Sequence, residues 1–80
     1  MDMDVARHII RAAFRSAREL ENLLGLLKSH CSPEEYQIYA TAIGTAIASI
    51  HLEVMNRVTD DFPTLEAEIE ADIKKHGRYL

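Results

Sequence analysis

Four arginines near the start of the chain have a spacing that places them on one face of a helix. Arg7, Arg11, Arg15 and Arg18 step by four, four and three residues. Aligned guanidinium groups form an electrostatic surface for an anionic partner, including nucleic acid. The alternative is a solvated outer face, since Asp4 and Glu19 have ion-pair spacing to Arg7 and Arg15. The formal net charge of −4 favours this alternative.

Acidic side chains are concentrated near the other end of the chain. Glu66, Glu68, Glu70 and Asp72 alternate with uncharged residues there. This segment could dock on a basic partner through Glu66 and Glu70, as in a stoichiometric inhibitor or an immunity-type protein. The alternative is a solvated helix surface that neutralises the arginine stripe across the fold.

Histidine and cysteine supply the remaining candidates for chemistry. A helical hairpin turning near Ser32 could bring His8, His51 and Glu53 together, but no HxxxH or ExxH spacing supports a metal site. Cys31 follows His30, yet adjacency in sequence does not make a nucleophile–base pair. One cysteine also excludes an intrachain disulfide and a cysteine-rich zinc site. We therefore expect a non-enzyme with no cofactor and no metal.

Three helices are expected to position these side chains, over residues 4–29, 33–59 and 63–76 of a single domain, 1–80. Apolar residues recur at alternating three- and four-residue steps, which indicates helices that bury one face. The first stripe is Met3, Ala6, Ile10, Ala13, Ala17, Leu20, Leu24 and Leu27. The second is Tyr36, Ala40, Ile43, Ile47, Ile50 and Val54, and the third is Leu65, Ile69 and Ile73.

The expected helix ends carry recognisable signals. Ser32 and Glu35 have capping-box spacing, with Pro33 at the first helical position. Asp61 or Thr64 is expected to cap the third helix, and Gly77 to stop it. The short link around Ser32 predicts an antiparallel hairpin of the first two helices.

Small residues recur every four positions in the second helix, at Ala40, Gly44 and Ala48. Such residues let another helix approach closely. A short third helix cannot cover both long apolar faces, so we expect two hairpins to form a homodimeric four-helix bundle. The expected interface residues are Ala40, Gly44, Ile47, Ala48, Leu20, Leu24 and Leu27.

Residues 36–52 form the longest run without Asp, Glu, Lys or Arg. The run is shorter than the ~20 apolar residues that a membrane span needs. The N-terminal segment also lacks the features of a signal peptide. We therefore interpret the run as a buried helix and expect a cytoplasmic protein without a membrane partner.

Residues 42–54 (AIGTAIASIHLEV), followed by 61–65 (DFPTL), resemble short hypothetical helical proteins of proteobacteria. The similarity covers about residues 40–66. It implies a bacterial cytoplasmic protein and contributes no activity or site residue.

The resulting hypothesis is an all-α, homodimeric module for protein–protein interaction or regulation. The alternative is a nucleic-acid-associated regulator using Arg7, Arg11, Arg15 and Arg18. A third possibility is the inhibitor or immunity-type protein that uses the acidic helix. The first predicts co-purification with a specific protein, whereas the second predicts binding that falls steeply with salt.

Overall fold

The computed structural model describes residues 1–79, which form three helices and no strand. Helix α1 is Met3–His30, α2 is Pro33–Asp61 and α3 is Thr64–His76. The all-α prediction is confirmed. α1 packs along α2 over much of its length, and α3 contacts the last turns of α2.

The start of α2 follows the predicted capping box. The Ser32 hydroxyl accepts from the Glu35 amide at 3.2 Å, and the Glu35 carboxylate accepts from the Ser32 amide at 3.1 Å. These two hydrogen bonds and Pro33 in the first turn confirm the predicted start. The hydrogen bonds with Ser32 also lower the pKa of the Glu35 carboxyl group, because the one from the Ser32 amide favours its ionised form.

The two ends of α3 compare differently with the sequence prediction. Gly77 has a φ of +76° and its amide donates to the Ile73 carbonyl at 2.8 Å, which confirms the predicted stop. The predicted cap at Asp61 or Thr64 is wrong, since no side chain caps α3. The carbonyls of Phe62 and Pro63 accept the first amides of the helix instead.

Helix α2 becomes π-helical from Ile50 to Met55. The Asn56 amide donates to the His51 carbonyl, a five-residue step that widens the turn. The next inward residue after Ile50 is therefore Met55, which is buried. Val54, which α-helical spacing placed on the inward stripe, is 41% exposed, so this prediction is wrong.

The buried core lies at one end of the molecule, where the first half of α1, the end of α2 and α3 meet. Each helix contributes small or aliphatic side chains, and the C-terminal segment adds one aromatic ring. The core residues are Ala6, Ile10, Ala13, Met55, Val58, Leu65, Ile69 and Tyr79.

The opposite end contains only the second half of α1 and the first half of α2. No residue is buried in Pro33–Ser49, and the last buried residue of α1 is Ala17. The chain measures 45 × 25 × 15 Å, so it is thin in one direction. The interpretation of residues 36–52 as a buried helix is wrong for the single chain, because α3 contacts only the far end of α2.

Candidate functional site

Two features could carry function: a cluster of arginines around two aromatic rings, and an open apolar face on α2. The cluster is anchored by the first arginine of the predicted stripe. The Nε atom of Arg7 donates to both carboxylate oxygens of Glu68, each at 3.1 Å. Arg7 also pairs with Asp4 at 2.9 Å, as its spacing predicted. The hydrogen bond that Arg7 donates to Glu68 raises the pKa of Arg7.

The second arginine of the stripe lies against an aromatic pair. The guanidinium carbon of Arg11 lies 5.3 Å from the centroid of the Tyr79 ring, a cation–π distance. The centroids of Tyr79 and Phe14 are 6.1 Å apart. On its other side, Phe14 meets His51 edge-on, with centroids 6.4 Å apart. These rings connect α1 with the π-helical turn and with the C-terminal segment.

The last two arginines of the stripe border a cavity of about 300 Å³. Among residues 1–79, none of those that line this cavity is acidic. Its walls are Arg11, Phe14, Arg15, Arg18, Arg78 and Tyr79. We call it the arginine pocket. Within residues 1–79, the two ion pairs described above involve none of Arg15, Arg18 and Arg78.

The sequence pattern predicted no role for Arg78 and Tyr79, which follow the helix stop at Gly77. Only Tyr79 gave a signal, as an aromatic residue two positions after that stop. Its ring is 7% exposed, and its hydroxyl is buried with no hydrogen-bond partner in the described chain. Burial raises the pKa of the Tyr79 phenol, and the nearby charge of Glu68 raises it further.

The acidic residues of α3 fall on two sides. Glu68 and Asp72 are half-buried, and Glu68 faces α1. Glu66 and Glu70, the predicted partner-binding acids, are both exposed. The hypothesis that α3 neutralises the arginine stripe therefore holds for Arg7 and Glu68. It was visible in the sequence, because Glu68 lies next to the apolar stripe of Leu65 and Ile69.

The second candidate feature is the outward face of α2. By length and composition alone, α2 is apolar and long enough to cross a membrane, with a mean hydropathy of 1.4 in its most apolar window. Only 6% of that window is buried inside the chain. Ile38 and Leu52 are 68% and 67% exposed. A large apolar surface on this scale marks an interaction site.

Two threonine hydroxyls of this helix form hydrogen bonds within it. The Thr41 hydroxyl donates to the Gln37 carbonyl at 2.8 Å, and the Thr45 hydroxyl to the Thr41 carbonyl at 2.9 Å. Neither hydroxyl therefore needs water for a hydrogen bond.

An apolar groove of about 370 Å³, bordered partly by Ile9 and Val54, lies between α1 and the π-helical turn.

The predicted interface residues divide by exposure. Five of them are half-buried, and two of the three small residues are exposed. Half-buried are Leu20, Leu24, Leu27, Ala40 and Ile47, whereas Gly44 and Ala48 are exposed. A Cβ atom at Gly44 or Gly25 would meet nothing within 4 Å. A close helix contact at Gly44 therefore requires a second chain.

The histidine and cysteine candidates do not assemble into a site. Among residues 1–79, no group of three His, Cys, Asp or Glu side chains could hold a metal ion. The Nδ1 atom of His30 lies 2.9 Å from the Leu26 carbonyl oxygen, so this ring bonds to its own helix. Cys31 is half-buried at the link between α1 and α2.

Comparison with protein families, with curated proteins and with solved structures found no match. The candidate sites are therefore argued from their geometry and chemistry.

Proposed function

We propose that this protein is a self-associating helical module that acts through protein–protein interaction. In this arrangement α1 and α2 form an antiparallel hairpin, and the outward faces of α2 from two copies meet in a four-helix bundle. The observation that carries the proposal is the uncharged, almost unburied apolar segment of α2. Burying such a surface against a second copy removes apolar area from water.

The solvent-exposed area of the chain supports an interface of standard size with a second copy. A folded monomer of 9.1 kDa is expected to expose about 4,900 Å². The described chain exposes 5778 Å². The excess, about 900 Å², is close to the ~800 Å² that each partner buries in a standard interface.

The arrangement of residues on α2 supports a second copy of the same chain. Gly44 stands at the midpoint of the uncharged run 36–52, with Ala40 and Ala48 four residues to either side. A two-fold axis near Gly44 would place equivalent small residues opposite each other in two antiparallel helices. Such self-complementarity is what a symmetric dimer requires.

The charges that flank this run favour a protein partner over a lipid bilayer. Glu34 and Glu35 precede the run and Glu53 follows it directly. Helices that span membranes are usually flanked by Lys and Arg, and anionic lipids repel acidic flanks. We accordingly propose a cytoplasmic protein without a membrane partner.

The nucleic-acid alternative has weaker support, because Arg7 is engaged by Glu68 and Asp4. Arg15 and Arg18 are the two exposed arginines of the predicted stripe. The inhibitor alternative keeps Glu66 and Glu70, both exposed on α3, but α3 presents no apolar surface comparable with that of α2.

A matched pair of substitutions tests the proposal. Ala48→Glu places a charge on the outward face of α2, and Ala71→Glu places the same charge on α3; both alanines are exposed in the single chain. By light scattering, the parent and Ala71→Glu are expected to be dimers and Ala48→Glu a monomer. Circular dichroism should show that all three are equally helical.

Three results would contradict the proposal. The first is a dimer in all three proteins, which would place the interface elsewhere. The second is a monomeric parent. The third is that the parent sediments with lipid vesicles and the Ala48→Glu variant does not. The third result would identify α2 as a membrane segment.

A further inference from the structure

The arginine pocket differs from a solvated stripe because its residues come from two separate parts of the chain. Arg11, Arg15 and Arg18 lie on α1, whereas Arg78 comes from the segment after α3. The Tyr79 ring brings this segment back to α1 by packing against Phe14 and Arg11. The fold therefore collects positive charge that the sequence separates by about sixty residues.

We propose that the arginine pocket binds a small phosphate-bearing anion. The residues that carry the proposal are Arg15, Arg18 and Arg78. Each lines the pocket, and within residues 1–79 no acidic side chain belongs to its wall. The proposal does not depend on dimer formation through α2, because none of the pocket residues lies on α2.

Electrostatics favours an anion at this point. Guanidinium groups stay charged at every physiological pH, and their forked N–H groups match phosphate oxygens. Like charges that surround one cavity repel each other, and a bound anion relieves that repulsion. A phosphate can accept from several guanidinium groups at once, whereas the two oxygens of a carboxylate suit one bidentate fork. Three arginines that line one cavity therefore favour phosphate.

The dimensions and the aromatic walls limit the ligand to a small molecule. A volume of about 300 Å³ lies at the lower end of the range for small-molecule sites. Phe14 and Tyr79 offer apolar surface beside the charges, which suits the organic part of a phosphate ester. Glu68 pairs with Arg7 next to this region, so the positive surface is too short to follow a nucleic-acid backbone.

The test is calorimetric titration of the full chain with inorganic pyrophosphate, and with adenosine diphosphate in a second arm. We expect the parent to bind pyrophosphate. Loss of a charged hydrogen bond weakens binding by roughly tenfold or more. Arg15→Gln/Arg18→Gln and Arg78→Gln should each show at least this loss. Tighter binding of adenosine diphosphate than of pyrophosphate would identify an organic phosphate as the ligand, and equal binding an inorganic one.

The matched control is Arg57→Gln, which removes an exposed arginine from α2 outside the pocket. It should bind pyrophosphate as the parent does, and thermal melting should show that all variants are folded. Absence of pyrophosphate binding at millimolar concentration would overturn the proposal. So would equal loss in Arg57→Gln and the pocket variants. Binding of a duplex oligonucleotide that pyrophosphate cannot displace would also overturn it, in favour of nucleic acid.

Discussion

The side chains of Arg7 and Glu68 join the first and third helices through two hydrogen bonds from one nitrogen atom, each 3.1 Å long. This pair distinguishes the first arginine of the stripe from the others. Arg7 holds α3 against α1, and the other three arginines line the arginine pocket. Arginines on one helix face therefore have two different structural environments.

Removing either partner of this pair should lower the thermal midpoint, because the hydrogen bonds between Arg7 and Glu68 are weakened. Arg7 keeps its ion pair with Asp4. Arg7→Gln and Glu68→Gln are expected to be destabilised, and the double variant by less than the sum of the two. This non-additivity in a double-mutant cycle measures the coupling. High salt should weaken it, since both groups are partly exposed. Strict additivity would show that the pair contributes nothing.

Tyr79→Phe should stabilise the fold. The Tyr79 hydroxyl is buried without a partner in the described chain, and an unsatisfied buried group costs about 1–3 kcal/mol. Replacing it by hydrogen keeps the ring contacts with Phe14 and Arg11. We expect a gain of about 1 kcal/mol in urea unfolding. A loss of stability would mean that the hydroxyl makes a hydrogen bond.

The same residue predicts a dependence on alkaline pH. Burial raises the pKa of the Tyr79 phenol above its ordinary value, so the folded state holds the phenolic proton more tightly than the unfolded state. The stabilisation is complete below about pH 10, the ordinary pKa. It is lost as the pH rises through the folded-state value. Tyr79→Phe should show a smaller loss than the parent in this range.

The capping box at the start of α2 predicts the opposite dependence, on acid. The amide of Ser32 lowers the pKa of the Glu35 carboxyl group, so the folded state favours the ionised form. This contribution is present above the ordinary pKa and disappears as the pH falls through the lower folded-state value. Glu35→Gln should therefore lose less stability on acidification than the parent.

Ser32→Ala removes the other half of the box. It should cost about 1 kcal/mol at neutral pH, the usual value for an N-cap serine. Ser29→Ala is the control, because its hydroxyl bonds only to the Gly25 carbonyl within α1. A cost for Ser29→Ala equal to that for Ser32→Ala would argue against a capping effect.

The π-helical turn can be tested by two neighbouring truncations. Met55 is buried and Val54 is exposed, whereas a continuous α-helix would turn Val54 inward. Met55→Ala should cost at least about 2 kcal/mol, and Val54→Ala less than about 1 kcal/mol. Chemical unfolding measures both values at protein concentrations low enough for the proposed dimer to dissociate. The reverse order would contradict the widened turn.

Gly44→Leu separates stability of the single chain from association. Because a Cβ atom at Gly44 meets nothing within 4 Å and leucine is the better helix former, the single chain should be at least as stable as the parent. In the proposed dimer a leucine would push the two α2 helices apart and cost roughly 1–3 kcal/mol. We expect a weaker dimer by sedimentation and no decrease of the melting midpoint at low concentration. A variant that dimerises as tightly as the parent would contradict the proposed axis.

The sequence was sufficient to predict the helices but not to predict every residue that they bury. Apolar spacing, the Ser32 capping box and Gly77 predicted all three helices, since these signals are local. The inward position of Met55 was not predictable, because a six-residue π-helical turn is too short to produce a recognisable spacing of apolar residues in the sequence. Without it, Val54 was the natural inward residue.

The candidate sites show the same division. The outward small residues of α2 and the arginines of α1 could be read directly, because each set lies on one helix. Arg78 and Tyr79 could not, because their role depends on a tertiary contact made after α3 ends. Which α2 residues remain exposed likewise depends on the packing of α1 against α2, which is also a tertiary contact.

The most direct test of self-association is the solution mass of the unmodified chain over a series of concentrations. Size exclusion coupled to light scattering should give twice 9.1 kDa, and this mass should persist on dilution into the micromolar range. A mass of 9.1 kDa at every concentration would contradict the proposal. The open face of α2 would then be the binding surface for a different partner.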